Sequence, residues 1–478
     1  MDLTRLSIDE LWAGYKSGDF TVTDVVTTYL DRIKKFDKEL NCYITVNKEE
    51  ALLQATRLDK KIKAKNIGGN LFGIPIAIKD VISTKGVRTT AGSKMLENYA
   101  PVFSATVYEK ILAEQAVVLG KTNCDEFAMG ASGENSAFGV TKNPWDKNKV
   151  PGGSSSGSAA AVAGRLCRVA LGTDTGGSVR QPAGFCGVVG IKPTYGRVSR
   201  HGIIAMASSF DQVGVMAPTS KEAAQVLKVI AGHDELDSTS RKNPVVNYVD
   251  LESKKMNIGL PKQFIGDGIE EGIRENILAV AKELKKLGHK VTEIDLPAIP
   301  YALPVYYIIT PAEVSANLAR YDGLRFGSRV SGQDLFNTYT ETRGKFLGKE
   351  VKRRIMLGTY VLSAGYYEAY YRKALRAQAV IKHEFEKAFK KYDVLIGPTS
   401  PSTAFNIGEK SNDPLAMYMA DINTVPVNIA GLPGLSVPSG LVNGLPVGLQ
   451  IIAPWFQEEN IFRLATDVEK VRGEWNLP

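Results

Sequence analysis

The sequence contains few of the residues that enzymes use to bind metals or to form disulfides. Histidine and cysteine occur four times each in 478 residues. No two cysteines form a CxxC pattern, and even the closest pair, Cys167 and Cys186, is well separated. Dispersed cysteines argue against a disulfide framework and are typical of a reducing compartment. No cluster of His, Asp and Glu has ligand spacing, so we expect no metal site.

Long apolar runs are also missing. No stretch of about 18 apolar residues is free of proline and charge, so no membrane-spanning helix is predicted. The N-terminal segment MDLTRLSIDELW is acidic and amphipathic, and it has neither the basic nor the apolar region of a signal peptide. The formal net charge of +8 permits contact with a polyanion such as RNA without requiring it. These features predict a cytoplasmic protein.

The composition itself is that of a globular protein, 44% hydrophobic and 23% charged. Residues 1–65 are predicted to be helical, beginning at a capping box formed by Ser7 and Glu10. Thr106 and Glu109 predict a second capped helix. Further predicted elements are buried strands in 71–80, ending at Lys79, in 116–123 and in 392–399, a strand–helix–strand unit over 256–296, a hairpin turning at Asn443-Gly444 and a final helix over 458–471.

This alternation predicts an α/β protein with a mixed β-sheet core covered by helices on both sides. No repeat and no convincing linker divides the chain, so we expect a single domain over 1–478. Its parts are N-terminal helices (1–65), a central segment rich in glycine and serine (66–220), and the remainder of the sheet with its covering helices (221–478).

Two glycine- and serine-rich loops lie in the central segment, PGGSSSGSAAAVAG (151–164) and GTDTGGSVRQP (172–182). Consecutive small residues allow several backbone N–H groups to point the same way, which acyl transfer needs to stabilise a developing oxyanion. The alternative is a pair of tight turns with glycines at positive φ. The loops alone do not separate these interpretations.

Familiar catalytic motifs fit the loops poorly. The GKT triplet fails as a P-loop because Gln115 stands where the first glycine belongs. Gly153-x-Ser155-x-Gly157 matches the nucleophile elbow of α/β-hydrolases, which needs a later histidine as base. His201 is the one histidine close to the loops in sequence, so a hydrolase that uses Ser155 and His201 is one alternative.

A lysine can replace histidine as the base when burial removes its proton. Lys79, at the end of the predicted strand IPIAIKD, is a candidate. The alternative is that Lys79 pairs with the neighbouring Asp80 at the edge of the sheet. Both interpretations stay open on this stretch alone.

Taken together, these motifs resemble the amidase signature family, whose catalytic group is a Ser-Ser-Lys triad. The matching residues are Lys79 in GIPIAIKD, Ser154 in GGSSSGSAA and Ser178 in GTDTGGSVRQPAGFCGVVGIKPTYGRVSR. Ser156 stands where the family pattern usually has glycine, and this difference leaves the three triad residues unchanged. The resemblance covers nearly the whole chain, and it implies the amidase signature fold.

The resemblance implies a role for each triad residue. Ser178 attacks an amide carbon, and Ser154, held by a cis peptide after Gly153, relays the proton. Neutral Lys79 is the base, which requires its pKa to fall by roughly three units from ~10.4. The oxyanion hole is formed by three backbone amides, those of Thr175, Gly176 and Gly177.

Further motifs narrow the resemblance to the glutaminase subunits of tRNA-dependent amidotransferases. They are GKTNCDEFAMG, KNPWD, ASSFDQVGV, NLARYDG, VKRRIMLGTYVLSAGYY and DINTVPVNIAGLPGLSVP. A glutaminase must bind both the ammonium and the carboxylate of glutamine, which calls for one anion and one cation. The resemblance points to Asp421 for the ammonium and Arg354 for the carboxylate. It also points to Tyr307, with the neighbouring Tyr306 as the alternative.

The same resemblance implies partners. Ammonia would pass to a B subunit, which uses ATP and Mg²⁺ to activate the carboxylate of Glu-tRNA(Gln), and in some cases of Asp-tRNA(Asn). A small C subunit would complete a heterotrimer, and this chain would itself bind no cofactor. The alternatives are a stand-alone amidase of the same family and a scaffold subunit with an inactive site.

Overall fold

The computed structural model describes residues 1–478. The strands are Tyr43–Val46 (β1), Pro75–Lys79 (β2), Val117–Thr122 (β3), Val169–Asp174 (β4), Val189–Lys192 (β5), Gln212–Ala217 (β6), Asn257–Pro261 (β7), Lys290–Ile294 (β8), Val394–Pro398 (β9), Gly434–Val442 (β10) and Leu445–Ile452 (β11). The helices are Ile8–Ser17 (α1), Val22–Leu40 (α2), Lys48–Lys63 (α3), Thr106–Ala113 (α4), Ser156–Ala163 (α5), Arg180–Cys186 (α6), Ser220–Ile230 (α7), Lys262–Ile265 (α8), Glu271–Lys286 (α9), Ala302–Asn317 (α10), Leu335–Phe346 (α11), Lys349–Leu362 (α12), Lys373–Ala388 (α13), Pro414–Met419 (α14), Val425–Ile429 (α15) and Glu458–Arg472 (α16). Short 3₁₀ turns lie at Lys94–Leu96, Glu126–Ala128, Ile299–Tyr301 and Leu318–Arg320, and a π-helix at Tyr367–Arg372.

All eleven strands form one sheet in the order β1-β3-β2-β4-β6-β5-β10-β11-β9-β7-β8. Strands β3, β2 and β4 are parallel, and so are β9, β7 and β8, whereas every other neighbouring pair is antiparallel. Every residue of β2, β3 and β4 is buried, which requires helical cover on both faces of the sheet. The predicted mixed sheet covered by helices is confirmed. The single-domain organisation stays a prediction.

The N-terminal region agrees with the prediction from its sequence, with one exception. The capping box of α1 is present, because the Glu10 N–H donates to Ser7 Oγ and the Ser7 N–H donates to Glu10 Oε2. The predicted helix is wrong at Tyr43–Val46, which form β1, antiparallel to β3. The segment YITV is aromatic and β-branched, which favours a strand once a sheet edge is available.

Helix α4 begins at Thr106, as predicted, but Thr106 does not cap it. The N-cap residue is Ala105, which has no side-chain oxygen to offer. The Thr106 hydroxyl instead donates to Asp234 Oδ2 at 2.6 Å. A partner distant in sequence has therefore replaced the local hydrogen bond that the motif predicted.

The other predicted elements are present. Strand β2 ends at Lys79, and β7, α9 and β8 form the strand–helix–strand unit with the two strands parallel. Asn443 and Gly444 have φ of 52° and 77°, as a tight hairpin between β10 and β11 requires.

All four cysteines are free and buried. None of the helices combines the length and the apolar composition needed to cross a membrane.

Candidate active site

The site is built where two parallel strands end. Strands β2 and β4 are paired in register from Ile76 opposite Val169 to Ile78 opposite Leu171. Lys79 is the last residue of β2, so this pairing brings its side chain to the end of β4. Lys79 is fully buried.

The Lys79 ammonium group contacts two hydroxyls in this buried position. Its Nζ lies 2.8 Å from Ser154 Oγ and 2.9 Å from Thr173 Oγ1. Burial lowers the pKa of Lys79 to about 8, against the opposing effect of nearby acidic groups such as Asp125. A lysine with this pKa is partly neutral near physiological pH, and neutral lysine can accept a proton.

The alternative interpretation is that Lys79 forms an ion pair with Asp80. In the structure Asp80 has another cation, Lys121, whose Nζ lies 3.4 Å from Asp80 Oδ1. Asp80 also accepts hydrogen bonds from the backbone N–H and the hydroxyl of Thr90. Lys79 therefore points into the site while its neighbour is neutralised elsewhere.

Ser154 lies in a loop that is held from two sides. The peptide bond between Gly153 and Ser154 is cis, as the family resemblance implies. The Gly153 N–H donates to Gln181 Oε1 at 2.9 Å, and the Asp125 N–H donates to the Ser154 carbonyl at 3.3 Å. A Cβ on Gly153 would lie only 2.1 Å from Asp125 Oδ2, so the loop requires glycine there.

Ser178 lies at the other end of the glycine-rich loop that follows β4. Its carbonyl accepts a hydrogen bond of 3.2 Å from the Ser155 N–H, which joins the two glycine-rich loops. Ser178 is 9% exposed, whereas Lys79 and Ser154 are 0% exposed. Of the three triad candidates, Ser178 is thus the one that an incoming molecule reaches first.

A buried ion pair shapes the loop that carries Ser178. Arg180 donates from Nε to Asp174 Oδ2 and from Nη2 to Asp174 Oδ1, both at 3.0 Å. Burial alone would raise the pKa of Asp174, but Arg180 lowers it to about 2. Asn428 and Gln450 hydrogen-bond to the pair as well, Asn428 to both partners and Gln450 to Arg180. The residues between Asp174 and Arg180 are thereby held in a closed loop.

Three amides of this loop were predicted to form an oxyanion hole, and their surroundings differ. The Gly177 N–H donates to Asp174 Oδ1 at 2.9 Å and is engaged within the protein. The N–H groups of Thr175 and Gly176 have no protein acceptor. The Thr175 hydroxyl donates to Asp211 Oδ1 at 2.6 Å, which orients this end of the loop.

A cavity of about 180 Å³ contains Arg354 and Tyr307 in its lining. The Arg354 guanidinium is buried against the Tyr307 and Tyr418 rings, which stack on each other with centroids 3.9 Å apart. Its Nε donates to Glu350 Oε1 at 2.8 Å. One edge of the Arg354 guanidinium is thus fixed by protein, while its terminal nitrogens have no protein acceptor.

Asp421 is buried, and its Oδ1 has no hydrogen-bond partner. Burial raises the pKa of Asp421 well above its ordinary value, and Arg354 acts in the opposite direction. The Thr424 hydroxyl lies 3.0 Å from the Asp421 carbonyl and 2.7 Å from the Gly176 carbonyl, so this segment contacts the loop of Ser178 directly. A buried polar atom without a partner needs an explanation, and a ligand that pairs with it is one.

The two adjacent tyrosines have different surroundings. Tyr307 lines the cavity with Arg354. Tyr306 packs on Phe210, and its hydroxyl would lie 2.7 Å from a Cβ on Gly176. Tyr307 is therefore exposed to the cavity beside Arg354, while Tyr306 packs against the loop of Ser178.

The structure does not assemble a Ser-His pair from Ser155 and His201. The Ser155 hydroxyl donates to the Thr173 carbonyl at 3.1 Å and accepts from the Thr173 N–H at 3.3 Å. The His201 ring packs on Phe103, with centroids 5.3 Å apart. Ser155 thus joins the loop to β4, and no histidine contacts it.

Sequence reasoning missed the residues that hold the triad in place. Thr173, Asp174 and Arg180 all lie within or beside the glycine-rich stretch GTDTGGSVR, where polar residues in a buried turn were the available signal. Gln181 follows directly in the same stretch. Asp125 carried no such signal, because it lies outside both glycine-rich loops and is distant in sequence from the serine that it supports.

The whole chain resembles known amidases. The family model described as Amidase matches residues 24–462. The A subunit of glutamyl-tRNA(Gln) amidotransferase from Thermoanaerobacter pseudethanolicus is 54% identical over 475 residues, which cover 98% of this chain and 97% of that protein. The protein of the same name from Geobacillus kaustophilus is 50% identical over 474 residues, covering 98% of each.

Solved structures show the same fold. The crystal structure of the A subunit of glutamyl-tRNA(Gln) amidotransferase from Thermotoga maritima matches with a TM-score of 0.81 and 42% identity, over 100% of this chain and 96% of that one. A peptide amidase solved with the competitive inhibitor chymostatin matches with a TM-score of 0.86 and 31% identity, over 99% and 98% of the two chains.

Proposed function

The chain belongs to the amidase signature family, and on this premise we propose that it is the glutaminase subunit of a tRNA-dependent amidotransferase. One observation carries the choice of glutamine. Arg354 and Asp421, a cation with free donors and a carboxylate oxygen without a partner, are buried together beside the loop of Ser178. A free amino acid substrate supplies the complementary carboxylate and ammonium.

The first chemical step forms a bond between Ser178 and the substrate. Ser178 Oγ attacks the side-chain amide carbon of glutamine, and its proton passes through the Ser154 hydroxyl to neutral Lys79. The 2.8 Å contact between Lys79 Nζ and Ser154 Oγ supports this proton path. The amide oxygen becomes an oxyanion, which the free N–H groups of Thr175 and Gly176 can stabilise.

The second step releases ammonia. The carbon–nitrogen bond breaks, the leaving nitrogen takes the proton held at Lys79, and a γ-glutamyl ester remains on Ser178. Water then attacks this ester and is deprotonated by the same path, which frees glutamate and restores Ser178. The sum is glutamine and water converted to glutamate and ammonia.

The relatives are named as the A subunit of an amidotransferase, and this supports the assembly that we propose. Ammonia would be used by a B subunit, with ATP and Mg²⁺, to amidate Glu-tRNA(Gln) and in some cases Asp-tRNA(Asn). A C subunit would complete a heterotrimer in the cytoplasm. This chain would bind no cofactor, because its own chemistry needs only side chains, backbone amides and water.

A stand-alone amidase is the second candidate, and one comparison favours it. The peptide amidase shares the fold at 31% identity, so the fold alone admits amides other than glutamine. Such an enzyme would keep Lys79, Ser154 and Ser178 without needing a cation and an anion for the ends of an amino acid.

Ammonia release from glutamine by the purified chain tests the proposal. The assay is run alone and with candidate B and C subunits, ATP and Glu-tRNA, beside the Ser178→Ala variant. We expect hydrolysis that depends on Ser178 and rises with the partners. Hydrolysis of simple amides that ignores the partners and is poor on glutamine would establish the stand-alone amidase, and assembly with the partners without any hydrolysis would establish a scaffold.

A further inference from the structure

Two neighbouring acidic residues, Asp125 and Glu126, follow strand β3 and reach opposite parts of the site. They enter a turn in which Phe127 and Ala128 both have positive φ, 49° and 62°. Asp125 accepts hydrogen bonds of 3.0 Å from the N–H groups of Gly133 and Asn135. Its carboxylate also packs on the Gly153 backbone, as described above, and so supports the Ser154 loop.

Glu126 is 3% exposed and points toward helix α12. Its Oε2 accepts a hydrogen bond of 2.8 Å from the Gly348 N–H, and its Oε1 accepts one of 2.5 Å from the Ser93 hydroxyl. Gly348 is the N-cap residue of α12, and a Cβ there would lie 2.2 Å from Glu126 Oε2. The glycine thus allows the carboxylate to approach the helix end closely.

This contact supplies a cap that α12 lacks in its own sequence. Gly348 has no side chain to cap the first turn, and the third helical residue, Val351, cannot complete a capping box. In a capping box a glutamate accepts the N–H of the N-cap residue, and Glu126 makes that same bond from a distant part of the chain. Burial raises the pKa of Glu126 to about 7, so only its ionised form adds a favourable interaction with the positive end of the helix dipole.

Helix α12 carries Arg354, so its first turn determines where the guanidinium lies. Arg354 has a side-chain hydrogen bond to Glu350, which lies on the same helix. The third turn of α12 is held by close packing, because a Cβ on Gly358 would lie 1.8 Å from the Pro311 carbonyl oxygen. The near end is held by Glu126.

We propose that Glu126 is a positioning residue for substrate binding, which fixes the start of α12 and thereby places Arg354 relative to the Ser154 loop held by Asp125. The proposal rests on the proposed function, because it takes Arg354 to bind the carboxylate of glutamine. In this proposal the dipeptide Asp125-Glu126 sets the distance between the reacting serines and Arg354.

Steady-state hydrolysis of glutamine by Glu126→Ala, Glu126→Gln and Ser93→Ala tests this role, in the full chain under the conditions where the wild type is active. We expect Glu126→Ala to raise the KM for glutamine about tenfold while kcat changes less than about twofold, since loss of a cap loosens the helix end without touching the reacting groups. Glu126→Gln should restore the wild-type KM, because its carbonyl can accept from Gly348 while its amide donates to Ser93. Ser93→Ala leaves the Gly348 bond intact and should keep the wild-type KM.

Binding measured without turnover provides the second readout. In a Ser178→Ala background, calorimetry should show glutamine bound about tenfold more weakly after Glu126→Ala, and restored by Glu126→Gln. Equal KM and binding in all variants, or a fall in kcat alone, overturns the role of Glu126. If the wild type itself shows no Ser178-dependent glutamine hydrolysis, the proposed function is wrong. If the wild type is active but the Glu126 variants have unchanged KM and binding, only the role of Glu126 is wrong.

Discussion

Lys79 Nζ lies 2.8 Å from Ser154 Oγ, and both residues are fully buried. A charged lysine in that position would have lost its hydration, and burial accordingly lowers its pKa to about 8. The base of the proposed reaction is therefore prepared by the fold before substrate arrives.

The first prediction concerns the pH dependence of kcat/KM, which reports the ionisation of the free enzyme. Below pH 8 Lys79 holds a proton and cannot accept another, so kcat/KM should fall about tenfold per pH unit as the pH drops below that value. Above pH 8 the lysine is neutral, and kcat/KM should level off. Lys79→Arg should be inactive throughout, because a guanidinium keeps its proton. An active Lys79→Arg variant whose rate still falls in the same way at low pH would show that Lys79 is not the base.

The second prediction concerns the buried pair of Asp174 and Arg180. Arg180→Ala leaves the Asp174 carboxylate buried without its main partner, which should cost about 3–5 kcal/mol in the free energy of unfolding. Urea denaturation measures the difference. Arg372→Ala is the matched control, because Arg372 and Glu368 form an exposed pair whose removal should change stability too little to measure. Equal effects in the two variants would show that Arg180 does not hold the loop.

The third prediction concerns Gly177 in the oxyanion loop. Gly177 has φ of 141°, and a Cβ there would lie 2.2 Å from Thr424 Oγ1. Gly177→Ala must therefore shift the loop, and kcat should fall about 100-fold as the oxyanion donors move. Gly444→Ala is the control, since its φ is also positive but no atom lies within 4 Å of the added Cβ. It should lose about 1 kcal/mol of stability and keep its kcat.

The fourth prediction concerns Asp421, whose carboxylate oxygen has no partner. Because burial raises its pKa, the folded protein holds this proton more tightly than the unfolded chain, so the ionised group lowers stability above the ordinary pKa of aspartate. Asp421→Asn should thus raise the melting temperature at pH 7. The same change removes the anion for the glutamine ammonium and should raise KM at least about tenfold.

Calorimetric melting and glutamine kinetics on the same preparation check both effects. The KM of the wild type should also rise as the pH falls, since protonated Asp421 cannot pair with an ammonium. A variant that is less stable than the wild type, or that binds glutamine equally well, would mean that Asp421 serves the fold and not the substrate.

Local sequence patterns predicted most of the fold. The alternation of strands and helices, the capping box at Ser7 and the turn at Asn443-Gly444 depend on nearby residues only, and the structure contains them. The failures involve distant partners. Tyr43–Val46 became a strand because β3 offers an edge, and the Thr106 hydroxyl turned to Asp234.

The sequence by itself determined which chemical groups are available: few histidines, a lysine at a strand end and two loops of glycine and serine. It also determined that the loops can bend closely, because glycine adopts backbone conformations that other residues rarely adopt. Only the tertiary structure decided that Lys79 meets Ser154 and not Asp80, that Gly177 gives its N–H to Asp174, and that Glu126 caps α12. The contacts of Lys79 with Ser154 and of Glu126 with Gly348 join residues far apart in the chain, and the Gly177 bond forms only in a loop that Arg180 and its distant partners hold closed. The pairing of β2 with β4 and the packing of α12 create the burial that changes the chemistry of these groups.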